Sequence, residues 1–334
     1  MLKCLLVFLL CVLSLSMYYN YVISQRPVTI EWKPLHRRAQ VKNESGKIDV
    51  VYLWVNGTNH TPPSTTLQEA ATPNRFREWN ELKYSIKLLR MHATNLRNIV
   101  VITNGNRPTY DNMQGIVFVD HSEFIPRQYL PTYSSATILF NLDGLFDRLT
   151  DPFVQMDDDF FITKPLDLQK YTKSKTWYIE NWGRDWGPRP SKNNFVQAII
   201  NSKRALKQVY PTFQPFGVVA HMPCTVQHAH MRKMKSLIDT TGSMTPYRSE
   251  TNLQFQYMMA AVGKYGFHDK HRPSNGVYHF IMMSSIQKLK RSFRTVLANP
   301  KGFLTLNDDI KKVTTHREVI SRFLNCLVTS DCVY

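Results

Sequence analysis

Phe153-Val154-Gln155-Met156-Asp157-Asp158-Asp159-Phe160-Phe161-Ile162 runs from one apolar stretch through three aspartates into another. Adjacent carboxylates beside buried chain repel one another and resist desolvation. A divalent cation with oxygen ligands, nearby Arg or Lys, or open water must relieve them. An isolated acidic triplet can simply be a solvated loop after a strand. Here the apolar run ending at Met156 places the aspartates at a strand's carboxyl end, where α/β domains carry ligand chemistry. The segment therefore reads as a metal and phosphate site on an α/β sheet.

The pattern upstream supports that sheet. Strand-like runs occur at Ile48–Val55, broken by Asn56-Gly57, at Ile99–Ile102, ending in Thr103-Asn104-Gly105, and at Ile116–Val119, leading to Asp120-His121. Between them, Leu82, Ile86 and Leu89 recur at helical spacing over Asn80–His92, and Ile138, Leu142, Leu145 and Leu149 predict a second amphipathic helix. Such alternation predicts a mainly parallel sheet. The second half reads as α-rich, with helices over Thr225–Leu237, Asn252–Val262 and Arg317–Leu327. Trp177–Pro190 reads as a loop over a site, and Phe303–Leu306 as a late strand ending in Asn307-Asp308-Asp309.

A hydrophobic content of 43% in 334 residues excludes a disordered chain. The formal charge of +17 and isoelectric point near 9.7 point to anionic partners. No basic-aromatic module is present, so nucleic acid is not expected among them. Lys3 precedes an apolar segment, Leu5–Leu13, that continues less purely to Ile23 before Arg26. This is an entry signal for the secretory pathway. Residues 1–24 are expected to be a signal-anchor or signal peptide, 25–46 a stem and 47–334 the catalytic domain. An uncleaved anchor, which would attach the protein to the membrane, is preferred on length. Against it, Arg26, Lys33, Arg37, Arg38 and Lys42 follow the segment, contrary to the positive-inside tendency, and cleavage near Ser14 and Ser16 would remove the conflict. Sequons at Asn43, Asn56 and Asn59 suit a luminal body. Beyond the leader, Cys326 and Cys332 can close a small C-terminal loop, leaving Cys224 free; no Cys/His array has zinc spacing.

Four segments, in order, resemble the sequence blocks of the Stealth family, which includes bacterial capsule polymerases and the animal lysosomal-enzyme GlcNAc-1-phosphotransferase. Ile48 to Gly57 is similar to the first. Arg75-Phe76, Glu81-Leu82-Lys83-Tyr84-Ser85, Arg97-Asn98-Ile99, Thr103-Asn104-Gly105, Leu130 to Ser135 and Asp158-Asp159 resemble the second. Ala220-His221-Met222-Pro223 with Arg248 and Gln254-Phe255 echo the third, and Phe303-Leu304 with Leu306-Asn307-Asp308 the fourth. Departures are Asn80 beside Glu81, Thr251-Asn252 after Arg248, and Asp157 before the aspartate pair.

The resemblance implies a Rossmann-like sheet of the GT-A nucleotide-sugar type and transfer of a sugar-1-phosphate from a nucleotide-sugar, UDP-GlcNAc or similar, to a glycan, glycoprotein or polysaccharide hydroxyl. Nucleoside monophosphate would leave. It implies Mg²⁺ or Mn²⁺ held by Asp158, Asp159 and Asp308, with Asp157 a further candidate. His221 is the expected general base, since imidazole titrates near working pH. Arg75 and Arg248 can fork onto phosphate oxygens. Trp54, Asn56, Gly57, Glu81, Thr103, Asn104, Gly105 and Asn307 are expected to bind substrate, and a glycan on Asn56 would crowd that site. The expected location is the Golgi lumen, as a single-pass membrane protein, or outside the cell after cleavage. Two alternatives are a glycosyltransferase that releases nucleoside diphosphate and a secreted, non-catalytic glycan- or polyanion-binding protein.

Overall fold

Ile48 to Leu53 is a run of six residues with only Asp49 charged, and five of the six are buried; it forms β1 at the middle of the principal sheet. In a computed structural model, which describes residues 46–55, 77–110, 113–181, 189–283, 285–310 and 316–329, all described residues fall in one unit, 43–334. The expected leader and nearly all of the stem, the three sequons, Asn56, Gly57, Arg75, Cys332 and the middle of the Trp177–Pro190 segment lie outside the described residues.

Strands β1, β2 (Leu96–Thr103), β3 (Ile116–Asp120) and β4 (Phe153–Asp157) are parallel, in the spatial order β4-β1-β2-β3. The register pairs Leu53 with both Ile102 and Asp157, and Thr103 with Asp120. Trp54, Asn104, the aspartates and His121 therefore leave the sheet along one carboxyl edge. Alternation of side chains splits β1 between two cores. Val50 and Tyr52 pack with Leu82, Ile86 and Leu89 of the helix Glu81–His92, while Val51 joins Val100, Phe140, Met231 and Met258 on the other face.

Past Asp158-Asp159 the chain enters β5 (Phe160–Ile162), which leaves the principal sheet. Then come β6 (Thr176–Glu180), β7 (Val218–Val219), β8 (Cys224–Val226), β9 (Lys270–Pro273), β10 (Tyr278–Met283) and β11 (Phe303–Asp308). β8 lies antiparallel along β4 and extends the principal sheet. β5 is antiparallel to β11, which is parallel to β10, and this three-stranded sheet has its own core of Phe161, Leu289, Phe293, Leu304 and Phe323. The aspartates occupy the corner where the chain passes between the two sheets.

Three expectations need correction. The segment Trp177–Pro190, expected as a loop, opens in a strand: Thr176–Glu180 is β6, paired with β9 and β7. The helix expected through Ile138, Leu142, Leu145 and Leu149 is an α-helix only over Ser135–Phe140; a 3₁₀ turn, Leu142–Leu145, follows. Asn141 donates its side-chain amide to Thr137 O at 2.7 Å, and a Cβ on Gly144 would stand 2.9 Å from Phe124 O. That close approach turns the chain aside. The helix expected from Thr225 starts at His228, because the preceding Cys-Thr-Val run pairs with β4. Helices Asn194–Val209 and Ile286–Ala298 and strand β10 were not expected from the sequence. Cys326 is disulfide-bonded, its partner lying outside the described residues, and Cys224 is a buried free thiol.

Candidate active site

Asp157 ends β4 on the side that Gln155 faces, and the Gln155 amide holds its Oδ1 at 2.8 Å. Its Oδ2 lies 3.5 Å from His221 Nε2. Asp159, two residues on, returns to that side. The ligand atoms of Asp157, Asp159 and His221 all lie within 4.8 Å of one another. Asp159 Oδ1 is buried without a hydrogen-bond partner. Burial pushes the Asp159 carboxyl up to about 7, with His221 pulling it down and Asp157 adding to the rise.

His221 arrives from Ala220-His221-Met222-Pro223, between β7 and β8. Its carbonyl accepts from Thr305 Oγ1 at 2.5 Å, and Phe160 meets its ring edge-on at 4.8 Å. Burial works against its charged form, but the contact with Asp157 and the Asp159 and Asp157 charges outweigh this and raise it above the ordinary imidazole value. Arg248 opposes that rise, which puts its charge within reach of the imidazole; its Nη2 donates to Ser135 Oγ at 3.3 Å.

Asp158 faces a different group. Burial first, then the charges of Asp159, Glu78 and Asp157, hold its carboxyl well above the usual range, and Glu81 is raised by burial, Asp158 and Glu78. Glu78 accepts from Trp54 Nε1 at 2.8 Å and from the Asn80 amide at 2.7 Å, while Glu81 accepts from the Trp79 amide at 2.7 Å. Asn80, at φ 68°, makes the tight entry that brings both glutamates to the start of one helix.

Asp308 is held apart from the Asp157, Asp159 and His221 group. It accepts from Trp79 Nε1 at 2.8 Å, Ile310 N at 2.8 Å and Arg77 Nη1 at 3.2 Å. Burial raises its carboxyl, and those bonds and the Arg77 charge moderate the rise. Asn307 donates to Met282 Sδ at 3.1 Å. Of the expected ligands, Asp159 thus meets Asp157 and His221, while Asp158 and Asp308 point into neighbouring acidic and arginine-bound settings. Glu78 and Arg77 were missed by sequence reading. Their only linear signal is position, within four residues of Glu81.

Farther along the edge, Gly105 N donates to Thr103 Oγ1 at 3.3 Å, and Gly105 has φ 93°. A Cβ there would stand 3.1 Å from Asp120 Oδ2, so glycine lets the β2 and β3 ends approach. Beside them opens a cleft of about 400 Å³ lined by Asn104, Asp120, His121, Arg127, Thr132 and Tyr133, among others.

Two carboxylates, one with an orphaned buried oxygen, fit a small divalent cation, since carboxylate oxygens suit Mg²⁺ and Mn²⁺. Neutralising Asp159 would remove a buried charge that otherwise takes up a proton near neutrality.

Residues 75–179 match the model of Stealth protein CR2, conserved region 2. A capsular polysaccharide phosphotransferase of Streptococcus thermophilus is 31% identical over 222 residues, 60% of this chain and 88% of the relative. One from Haemophilus influenzae is 27% identical over 227 residues, 63% of this chain and 60% of the relative. One from Neisseria meningitidis serogroup B is 34% identical over 213 residues, 58% of this chain and 56% of the relative. The chain thus spans somewhat over half the length of two of these relatives and most of the third. With 88% of the Streptococcus thermophilus relative covered at 31% identity and the Stealth region matched, the chain belongs to the Stealth family of sugar-phosphate transferases.

Proposed function

We propose that this protein moves a sugar-1-phosphate from a nucleotide-sugar, such as UDP-GlcNAc, to a hydroxyl of a glycan. The acceptor oxygen forms a bond to the sugar-bearing phosphorus, and the bond from that phosphorus to the bridging oxygen breaks. The bridging oxygen keeps the electron pair and leaves with nucleoside monophosphate; the acceptor proton passes to the protein. The observation that carries this reading is the meeting of Asp157, Asp159 and His221 at the carboxyl edge of a parallel sheet.

Each residue has work that follows from its surroundings. Asp157 engages His221 Nε2, which leaves Nδ1 as the nitrogen able to take the acceptor proton. Arg248 offers charge to phosphoryl oxygens beside that base. Asp157 and Asp159 would hold the divalent cation, which supplies charge neutralisation on the diphosphate. Trp54 and the Thr103-Asn104-Gly105 turn end adjacent strands, so the nucleotide has a floor running toward the Asn104–Asp120 cleft.

The apolar segment Leu5–Leu13 and its flanking charge support action in the lumen of the secretory pathway, with the Golgi as the compartment that suits glycan phosphorylation. Among the described residues no helix is long and apolar enough to cross a membrane.

The test follows phosphodiester formation by ³¹P NMR with nucleotide-sugar, Mg²⁺ or Mn²⁺ and a panel of glycans. Removing the base in His221→Ala is expected to cost on the order of 10²–10⁴-fold in kcat. Full turnover by that variant would overturn the assignment.

A further inference from the structure

Four large apolar side chains are exposed among the described residues, Met91, Val117, Phe280 and Met282, and two of them share one strand, β10. Alternation explains their common face: Ile281 and Met283 turn into the core at 5% and 0% exposure, while Phe280 and Met282 turn outward at 36% and 47%. An outward face exposed to water is ordinarily polar, so this pair asks for an occupant.

Its surroundings say which. The Phe280 ring lies 6.2 Å from the His221 ring, at 64° to it. The register pairs Phe280 with Thr305, whose hydroxyl holds the His221 carbonyl, and Met282 with Asn307, whose amide reaches Met282 Sδ. The outward face of β10 and β11 is therefore continuous with the imidazole. It belongs to the second sheet, whereas the Asn104–Asp120 cleft lies at β2 and β3, the strands of the principal sheet farthest from β4. Phosphoryl transfer needs attacking and leaving oxygens roughly in line. With the nucleotide leaving along the principal sheet, the acceptor must come in from elsewhere, and this face is the one that touches the base.

We propose that Phe280 and Met282 form the platform for the acceptor sugar: the apolar C–H face of a pyranose ring lies on Phe280, Met282 extends the contact, and one hydroxyl turns toward His221. An apolar surface with a few placed polar groups is the usual make-up of such a site. This rests on the transferase reading above, and Phe280 acts here as a specificity-determining residue, not as a group in the chemistry.

Two measurements separate the platform from that reading. In steady-state kinetics, Phe280→Ala is expected to raise KM for the acceptor roughly three- to tenfold, the worth of one aromatic contact, with KM for the nucleotide-sugar unchanged and Phe280→Tyr restoring the wild-type value. Equal change in both KM values, or no recovery in Phe280→Tyr, would mean a structural role and overturn the proposal. Without any donor, saturation-transfer NMR with a panel of methyl pyranosides is expected to show ring C–H signals with wild type that weaken in Phe280→Leu and persist in Met91→Ala. Signals of equal strength in Phe280→Leu, or none with wild type, would overturn it. Because the NMR needs no turnover, a protein that bound pyranosides through Phe280 yet formed no phosphodiester would sink the transferase reading and leave the platform standing.

Discussion

Asp159 Oδ1 is buried and has no partner, yet its side chain stands beside a second carboxylate and an imidazole. That orphan is the strongest residue-scale sign of a cation, since a buried acceptor left unsatisfied costs roughly 1–3 kcal/mol. Asp159→Asn is expected to weaken Mn²⁺ binding at least about tenfold, the effect of losing one charged ligand, as read by electron paramagnetic resonance titration. Undiminished affinity would move the cation elsewhere. Asp49 provides the contrasting case. It is fully buried at the other end of β1, accepts from Arg97 Nε at 2.7 Å and Thr150 N at 2.9 Å, and its partner Arg97 is 8% exposed. Asp49→Ala strands that guanidinium and is expected to cost about 3–5 kcal/mol in urea unfolding, with Mn²⁺ affinity unchanged in the folded protein. The aspartate row was legible from sequence because three neighbouring carboxylates cannot all be buried without relief. Which of them share a side was not, because that depends on where β4 ends and how the corner into β5 turns. Asp157, only a further candidate from the sequence, stands in the group, while Asp308 meets Arg77 across more than two hundred residues of chain.

Strands announced themselves where the chain is continuously apolar and β-branched, as at Ile99 to Ile102, because both faces of the central strands are buried. The helix Glu81–His92 was equally legible from one apolar stripe. Short elements whose pairing lies far away were not: β8 is three residues long and owes its form to β4, and β10 to β11. The 3₁₀ turn His121–Glu123 buries His121, and that burial, only partly offset by the Asp120 charge, lowers its imidazole to about 4. An unfolded chain protonates the same ring near 6.5. Between these values the unfolded state binds more protons, so the contribution is fully present above the unfolded value and is lost as pH falls toward 4, by roughly 3 kcal/mol. Glu81, Asp158 and Asp159 carry the opposite sign, because folded carboxyls raised above their unfolded values take up protons first and gain stability as pH falls. Comparing urea midpoints at pH 7.5 and 5 in wild type and His121→Gln isolates the histidine: the variant is expected to lose less stability on acidification, and an equal loss would contradict the burial argument.

Across the whole molecule, segments distant in sequence converge on one corner. The ends of β1 and β4, the start of the helix at Glu81, the loop bearing His221 and the end of β11 all approach it, and three separate hydrophobic cores fix their relative positions. An acidic centre within a chain of net charge +17 also suits an anionic donor, drawn in by the whole surface and bound through a cation. KM for the nucleotide-sugar is accordingly expected to rise with salt, since the Debye length shrinks to about 3 Å at 1 M; a KM flat between low and high salt would remove the steering argument. The bond that breaks distinguishes transfer of a sugar phosphate from transfer of the sugar alone. Full-length protein, a nucleotide-sugar panel, glycan acceptors and Mg²⁺ or Mn²⁺ should together release a nucleotide whose mass identifies it: nucleoside monophosphate is the expected product, and nucleoside diphosphate would show transfer of the sugar alone and contradict the account.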